Sequence, residues 1–176
     1  MTLTESPTGR GAVVAAVVGS AVVTARLLAR RGLVMPRDRV GTRLAVADGT
    51  TSVVFRETAA THPRPPGGAV LVVRFRLRWI GDARWAHAVF RRACLVNTPL
   101  FAGFPGFRTK LWLIDPATGV YRGLYEWDDV RGAVRYAERL RHVLALVTCP
   151  GSVSYEVVAG STREPYLDGG RPGPTR

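Results

Sequence analysis

Lysine is nearly missing from this chain of 176 residues: Lys110 stands alone against 24 arginines, in a sequence of formal net charge +12. That skew, together with abundant Ala, Gly, Val and Pro, fits GC-rich coding better than nucleic-acid recognition. The arginines are scattered, with no run longer than a pair, whereas a face built for a phosphate backbone would cluster them. Nucleic acid is therefore set aside as a partner in favour of an anionic small molecule or an acidic partner. Cysteine is scarce too. Cys94 and Cys149 form no CxxC and have no histidine pair nearby, which is too few ligands for a metal, and two cysteines do not make a disulfide framework. Buried thiols in a reducing cytoplasm are expected. Also lacking are a phosphate loop, a dinucleotide fingerprint and a Ser-His-Asp set. The apolar run GAVVAAVVGSAVVTA (11–25) is short for a membrane span: as a helix it reaches about 22 Å, against about 30 Å of hydrocarbon. Its charges lie mostly after the run, at Arg26, Arg30 and Arg31, and no clear small-x-small cleavage site follows, an arrangement that does not suit a signal peptide. A packed helix, an interfacial anchor and a weak membrane segment stay open. The packed helix is preferred and the chain is expected in the cytoplasm, with membrane-surface contact through 11–33 as the alternative.

What is present reads as a globular chain, 47% hydrophobic and 22% charged, long enough for one domain and an extension. Residues 1–65 are expected to form that extension, with an apolar helix over 11–33 and a short strand near 52–57. THPRPPGG (61–68) reads as a linker, because its prolines and glycines suit neither a helix nor a central strand. In AVLVVRFRLRW (69–79), Leu71, Val73, Phe75, Leu77 and Trp79 alternate with Arg74, Arg76 and Arg78, a strand of period two. ARWAHAVFRRACLVN reads as a helix with Trp85, Val89, Cys94 and Val96 near its apolar side. In GFRTKLWLIDPATGVYRGLYEWD (106–128), DPATG joins two strands into a hairpin. Asp128 and Asp129 then start a helix that runs to about Val147, SVSYEVVAG (152–160) is a last strand, and 161–176 is a flexible tail. The order from residue 66 to 160 is β-α-β-β-α-β, an α+β ferredoxin-like domain with both helices on one sheet face. The other face would be bare, and two copies could cover it by packing sheet on sheet as a homodimer.

The residues Gly106, Phe107, Lys110, Trp112, Pro116, Thr118, Gly119, Gly123, Tyr125 and Trp127 resemble the hairpin pattern of the YdhR-like monooxygenases. These are similar to the antibiotic-biosynthesis monooxygenases of the dimeric α+β barrel superfamily. The resemblance covers roughly residues 69–160. It implies a dimeric α+β barrel that oxidises electron-rich aromatic or polyketide-like compounds in secondary metabolism with molecular oxygen and no cofactor. Such chemistry needs a dry, aromatic-walled pocket that is positive where negative charge develops. A polyketide cyclase of the same fold, and a non-catalytic ligand-binding or membrane-surface interaction protein, are the alternatives.

His87 and His142 are the side chains suited to proton transfer near neutrality, and His87 is preferred because its helix forms the rim in this fold. Tyr125 joins it as a candidate catalytic group, and Asn97 would orient oxygen or a substrate carbonyl. Arg74 and Arg76 are expected to point into the barrel with Arg108, Lys110 and Trp112, facing a small, anionic aromatic or polyketide-like substrate; pairing with Glu126, Glu156 or a partner's carboxylates is the alternative. Trp85, Trp112 and Trp127 would line the pocket, and Tyr121 would donate to a substrate oxygen. For the tryptophans, dimer packing is equally open. Which hairpin face lines the pocket depends on register, since a slip of one residue exchanges the faces.

Overall fold

The computed structural model of the chain describes residues 32–46, 49–63, 67–78, 84–96 and 98–167. Residues 11–31 of the expected N-terminal helix and Asn97 lie outside them, and Leu33, expected to end that helix, lies in a strand. The described residues form one antiparallel sheet of seven strands: β1 (Leu33–Val34), β2 (Arg43–Ala45), β3 (Thr51–Ala60), β4 (Ala69–Arg76), β5 (Phe107–Ile114), β6 (Val120–Trp127) and β7 (Ser154–Ala159). The helices are α1 (Arg84–Val96), the single turn α2 (Pro99–Ala102), α3 (Val130–Val147) and α4 (Glu164–Leu167). Spatial order is β1-β3-β5-β6-β4-β7, with β2 also paired to β3. From β4 onward the first strand of the motif lies between its third and fourth, and its second lies beyond the third, which is the ferredoxin-like arrangement. β3 adds to this motif by pairing antiparallel with β5. Residues 61–68 therefore connect two strands of the same sheet.

Local chemistry sets the hairpin. Asp115 accepts from the amides of Ala117 and Thr118 (2.9 and 3.3 Å) and from the Thr118 hydroxyl (2.6 Å). Gly119 turns the chain at φ +68, in the region that favours glycine. Gly123 is needed for space: a Cβ there would sit 2.6 Å from the Tyr125 ring. Two irregularities decide which side chains meet. The β5–β6 register shifts between Phe107 and Thr109, so Arg108 is an extra residue and Phe107 shares a face with Lys110, Trp112 and Ile114. The β3–β5 register shifts between Val54 and Arg56, and this bulge turns both Phe55 and Arg56 towards the helices. A bulge re-aims side chains in this way wherever one strand carries an extra residue.

The helix-side face holds the larger core, in which Leu71, Val73 and Phe75 from β4 meet Trp112, Tyr121, Tyr125 and Trp127 from the hairpin and Ala133, Tyr136 and Leu144 from α3. Asp129 caps α3 by accepting from the Gly132 amide (2.7 Å). Val130 and Val134 on α3 are exposed, and Tyr136 is buried.

The second face is not bare where it matters most: every residue of β5 and β6 is buried. There Leu44, Val54, Val70, Leu111, Leu113 and Leu124 pack with Tyr166 and Leu167 from the C-terminal segment. Arg163, in the stretch expected to be a flexible tail, donates to Glu57 (2.6 Å) and lies 3.6 Å from Glu126. Glu126 also accepts from the Thr109 hydroxyl (2.7 Å) and the Arg163 amide (3.1 Å). The argument for a sheet-on-sheet homodimer loses its premise over β5 and β6, and the open part of the face lies towards β4, where Arg74 and Arg76 are exposed.

Arg163→Ala leaves Glu57 and Glu126 buried without their cation. The expected destabilisation is about 3–5 kcal/mol, read by urea denaturation, with partial recovery when Glu57→Gln is added.

Candidate functional site

Lys110 is the centre of the helix-side layer. The bulge at Arg108 turns it inward, where its side chain is 3% exposed. Its Nζ lies 2.9 Å from the centre of the Trp112 ring, 4.3 Å from Phe101 and 4.6 Å from Tyr125. No carboxylate among the described residues pairs with it. Ring faces attract a cation, but too weakly to replace the water an ammonium loses. Burial accordingly pulls the Lys110 pKa well below its ordinary 10.5, with Cys94 opposing this and Arg56 adding to it. Cys94 is itself fully buried, and burial pushes its thiol up to about 11 against the pull of Lys110 and Arg56. It is a thiol at neutral pH and not a reactive thiolate. Neither Cys94 nor Cys149 is in a disulfide.

A second polar pair sits in the same layer. His87 Nδ1 lies 2.7 Å from the Tyr121 hydroxyl. Burial pushes that phenol up to about 12, with the Arg91 charge opposing and Cys94 adding, so it stays protonated and can donate to a neutral imidazole. The hairpin turn closes over the ring: a Cβ at Gly119 would lie 3.7 Å from His87 Cε1. Phe90 (4.7 Å), Phe75 (5.8 Å) and Phe55 (6.1 Å) surround Tyr121. Tyr125 and Tyr136 are joined hydroxyl to hydroxyl at 3.3 Å, and burial raises both phenols. The Trp112 and Trp127 indole N–H groups are buried and find no acceptor among the described residues.

Beside this layer, between α1 and β3, an open cleft of about 460 Å³ is lined by Val40, Gly41, Val54, Phe55, Arg56, Ala88, Arg91 and Arg92. Phe55 belongs to both regions, 6.2 Å from Trp112 by ring centres, and forms the wall between them.

The predicted site residues divide among several places. His87, Lys110, Trp112, Tyr121 and Tyr125 come together in the helix-side layer. Trp127 lies in the same layer, against Tyr136 (5.0 Å) and Phe107 (5.8 Å). Arg74 and Arg76 alternate away from it, onto the opposite sheet face, so they share no cavity with Lys110 and Trp112. Arg108 sits in the bulge, where it pairs with Asp128 and donates to the carbonyls of His62 and Pro63. Trp85 is 74% exposed and Val89 56%, because α1 turns His87, Phe90 and Cys94 inward at a spacing of three and four. Residue size suggested the wrong phase for this helix. His142 is exposed. Sequence reasoning missed Phe55, Arg56 and Arg91 as neighbours of the layer, whereas Cys94, expected on the apolar side of its helix, is buried there. The phase of Phe90 and Cys94 could have placed Arg91, but no periodicity marks a bulge at Phe55.

No family model matches the chain, and no curated protein matches it. Among solved structures it is similar to an uncharacterised ferredoxin-fold protein related to antibiotic-biosynthesis monooxygenases from Listeria monocytogenes. That likeness has a TM-score of 0.45 and 12% identity, over 65% of this chain and 66% of the other. A monooxygenase-like protein from Listeria innocua matches at 0.42 and 11% identity, over 66% of each chain. A haem-degrading enzyme from L. monocytogenes matches at 0.40 and 10%, over 74% of this chain and 97% of that one. The chain thus spans just under two thirds of the first two proteins. These likenesses concern the fold, which the strand order shows independently.

The depressed Lys110 pKa fixes a pH dependence. Between its folded-state value and 10.5 the unfolded chain binds more protons than the folded one, so stability rises with pH. Lys110→Met should therefore be more stable than the parent at neutral pH, with the gap shrinking as pH climbs towards 10.5. Urea titrations across that range check this; a constant gap would show an ordinary lysine.

Proposed function

We propose that the chain is a cofactor-independent monooxygenase acting on small, electron-rich aromatic or polyketide-like compounds in secondary metabolism. The observation that carries this reading is the placement of the one lysine. In a chain of 24 arginines, the residue able to exist as a neutral base occupies the dry aromatic interior, where a guanidinium would stay charged.

In this account the substrate enters by the cleft, and rotation of Phe55 joins the cleft to the aromatic layer. The Lys110 amine takes a proton from the substrate's phenol or activated methylene. The ammonium so formed stays beside the new anion, which offsets the cost of burying each charge alone. The Trp112 indole N–H supplies a donor for the oxyanion. The anion then reduces molecular oxygen: a methylene carbon loses two hydrogens and gains one oxygen as a ketone, and the second oxygen leaves with those hydrogens as water. The Tyr121–His87 pair lies in the same layer and returns protons to the departing oxygen. A homodimer, which the family resemblance implies, would use the sheet surface near β4 and not the covered hairpin.

An oxygen electrode with an anthrone as substrate tests the reading. Uptake of one O2 per ketone formed is expected, reduced by about 10²–10⁴-fold in Lys110→Met and equally in Lys110→Arg. Product formed without oxygen uptake would indicate the cyclase instead. Uptake unchanged in both variants would remove Lys110 from the chemistry.

A further inference from the structure

The cleft between α1 and β3 carries charge of one sign. Its lining holds three arginines, Arg56, Arg91 and Arg92, and no acidic residue. The remainder is apolar or small: Val40, Gly41, Val54, Phe55 and Ala88. Arg56 is held in place at one end, its Nη2 donating to the Arg91 carbonyl at 2.9 Å. Its Nη1 is buried and finds no acceptor among the described residues. A buried donor without an acceptor is costly, and burial lowers the Arg56 pKa, with Cys94 opposing. The bulge in β3 is what brings Arg56 to this position beside Phe55. The result is an open cleft of about 460 Å³ bordered by three arginines and an aromatic ring, within the size range of small-ligand sites.

We propose that this cleft is a carboxylate subsite, in which Arg56, backed by Arg91 and Arg92, holds the carboxylate of an aromatic acid while Phe55 and Val40 pack against its ring. A planar carboxylate suits a guanidinium fork, and the apolar wall selects a ring-bearing acid over a free inorganic anion. The inference deepens the oxygenase reading, and rests on it for catalytic meaning: the substrate would carry a carboxylate remote from the carbon that is oxidised. Binding itself can be tested without turnover.

The experiment is isothermal titration of the full-length protein with 2-naphthoate, 2-naphthol and inorganic phosphate. Naphthoate should bind at least about tenfold more tightly than either of the others, and Arg56→Gln should lose about tenfold or more of that affinity. Arg91→Gln and Arg92→Gln, both on the exposed side of α1, give second variants should Arg56→Gln unfold, which a thermal melt would reveal; each should weaken naphthoate and leave naphthol unchanged. Equal binding of naphthol, equal binding of phosphate, or full affinity in all three variants would overturn the subsite. Lys110→Met separates the two proposals. Naphthoate binding kept with anthrone oxidation lost supports both, while anthrone oxidation in a protein that does not bind naphthoate sinks only the subsite. Naphthoate binding with no oxygen uptake by the parent sinks only the oxygenase reading.

Discussion

Both strands of the β5–β6 hairpin are buried along their whole length on both sheet faces, and most of the molecule answers to that constraint. A strand pair with no solvent on either side must supply a partner for each polar side chain it carries, because an unpaired buried polar group costs more than a missing apolar contact. On one face the solution is an ion-pair network, with Arg163 brought back from the C-terminal segment to Glu57 and Glu126. On the other the answer is different in kind. Lys110 meets aromatic rings, with no carboxylate paired to it among the described residues, and burial pulls its pKa well below the ordinary value.

That difference sets the two buried polar groups apart. Replacing the Arg163 network with apolar residues of like volume would suit the fold as well or better. No such account covers Lys110, since leucine or methionine would fill the aromatic cage without any desolvation cost. Its neighbours are a thiol held protonated by burial, a phenol hydrogen-bonded to an imidazole, and an indole N–H that finds no acceptor among the described residues. These groups can move or hold protons in a space that excludes water, the condition under which electrostatic stabilisation of an anion is strongest.

Much of the architecture was legible because it follows from alternation and turn chemistry. Leu71, Val73 and Phe75 against Arg74 and Arg76 gave β4 its faces, Asp115–Gly119 closed the hairpin, and Asp129 began α3. The order of elements was then enough for the ferredoxin-like topology. The site was less legible, for three physical reasons. Bulges at Phe55 and Arg108 each insert one residue, and a single insertion transfers every following side chain to the other face. The α1 phase turned on Phe90 and Cys94, whereas Trp85 drew attention by its size. Arg163 and Tyr166 sit in a short polar stretch whose ion pairs to Glu57 and Glu126 and packing on Leu111 and Leu124 are distant in sequence, which no local pattern encodes.

The central claim is that burial among aromatic rings holds the Lys110 amine's pKa well below the ordinary lysine value. Because the chain has one lysine, 13C-lysine labelling yields a single side-chain ε-carbon resonance whose shift reports protonation directly. The account predicts a titration midpoint well below 10.5. An ammonium shift that persists through neutral pH and titrates near 10.5 would contradict it.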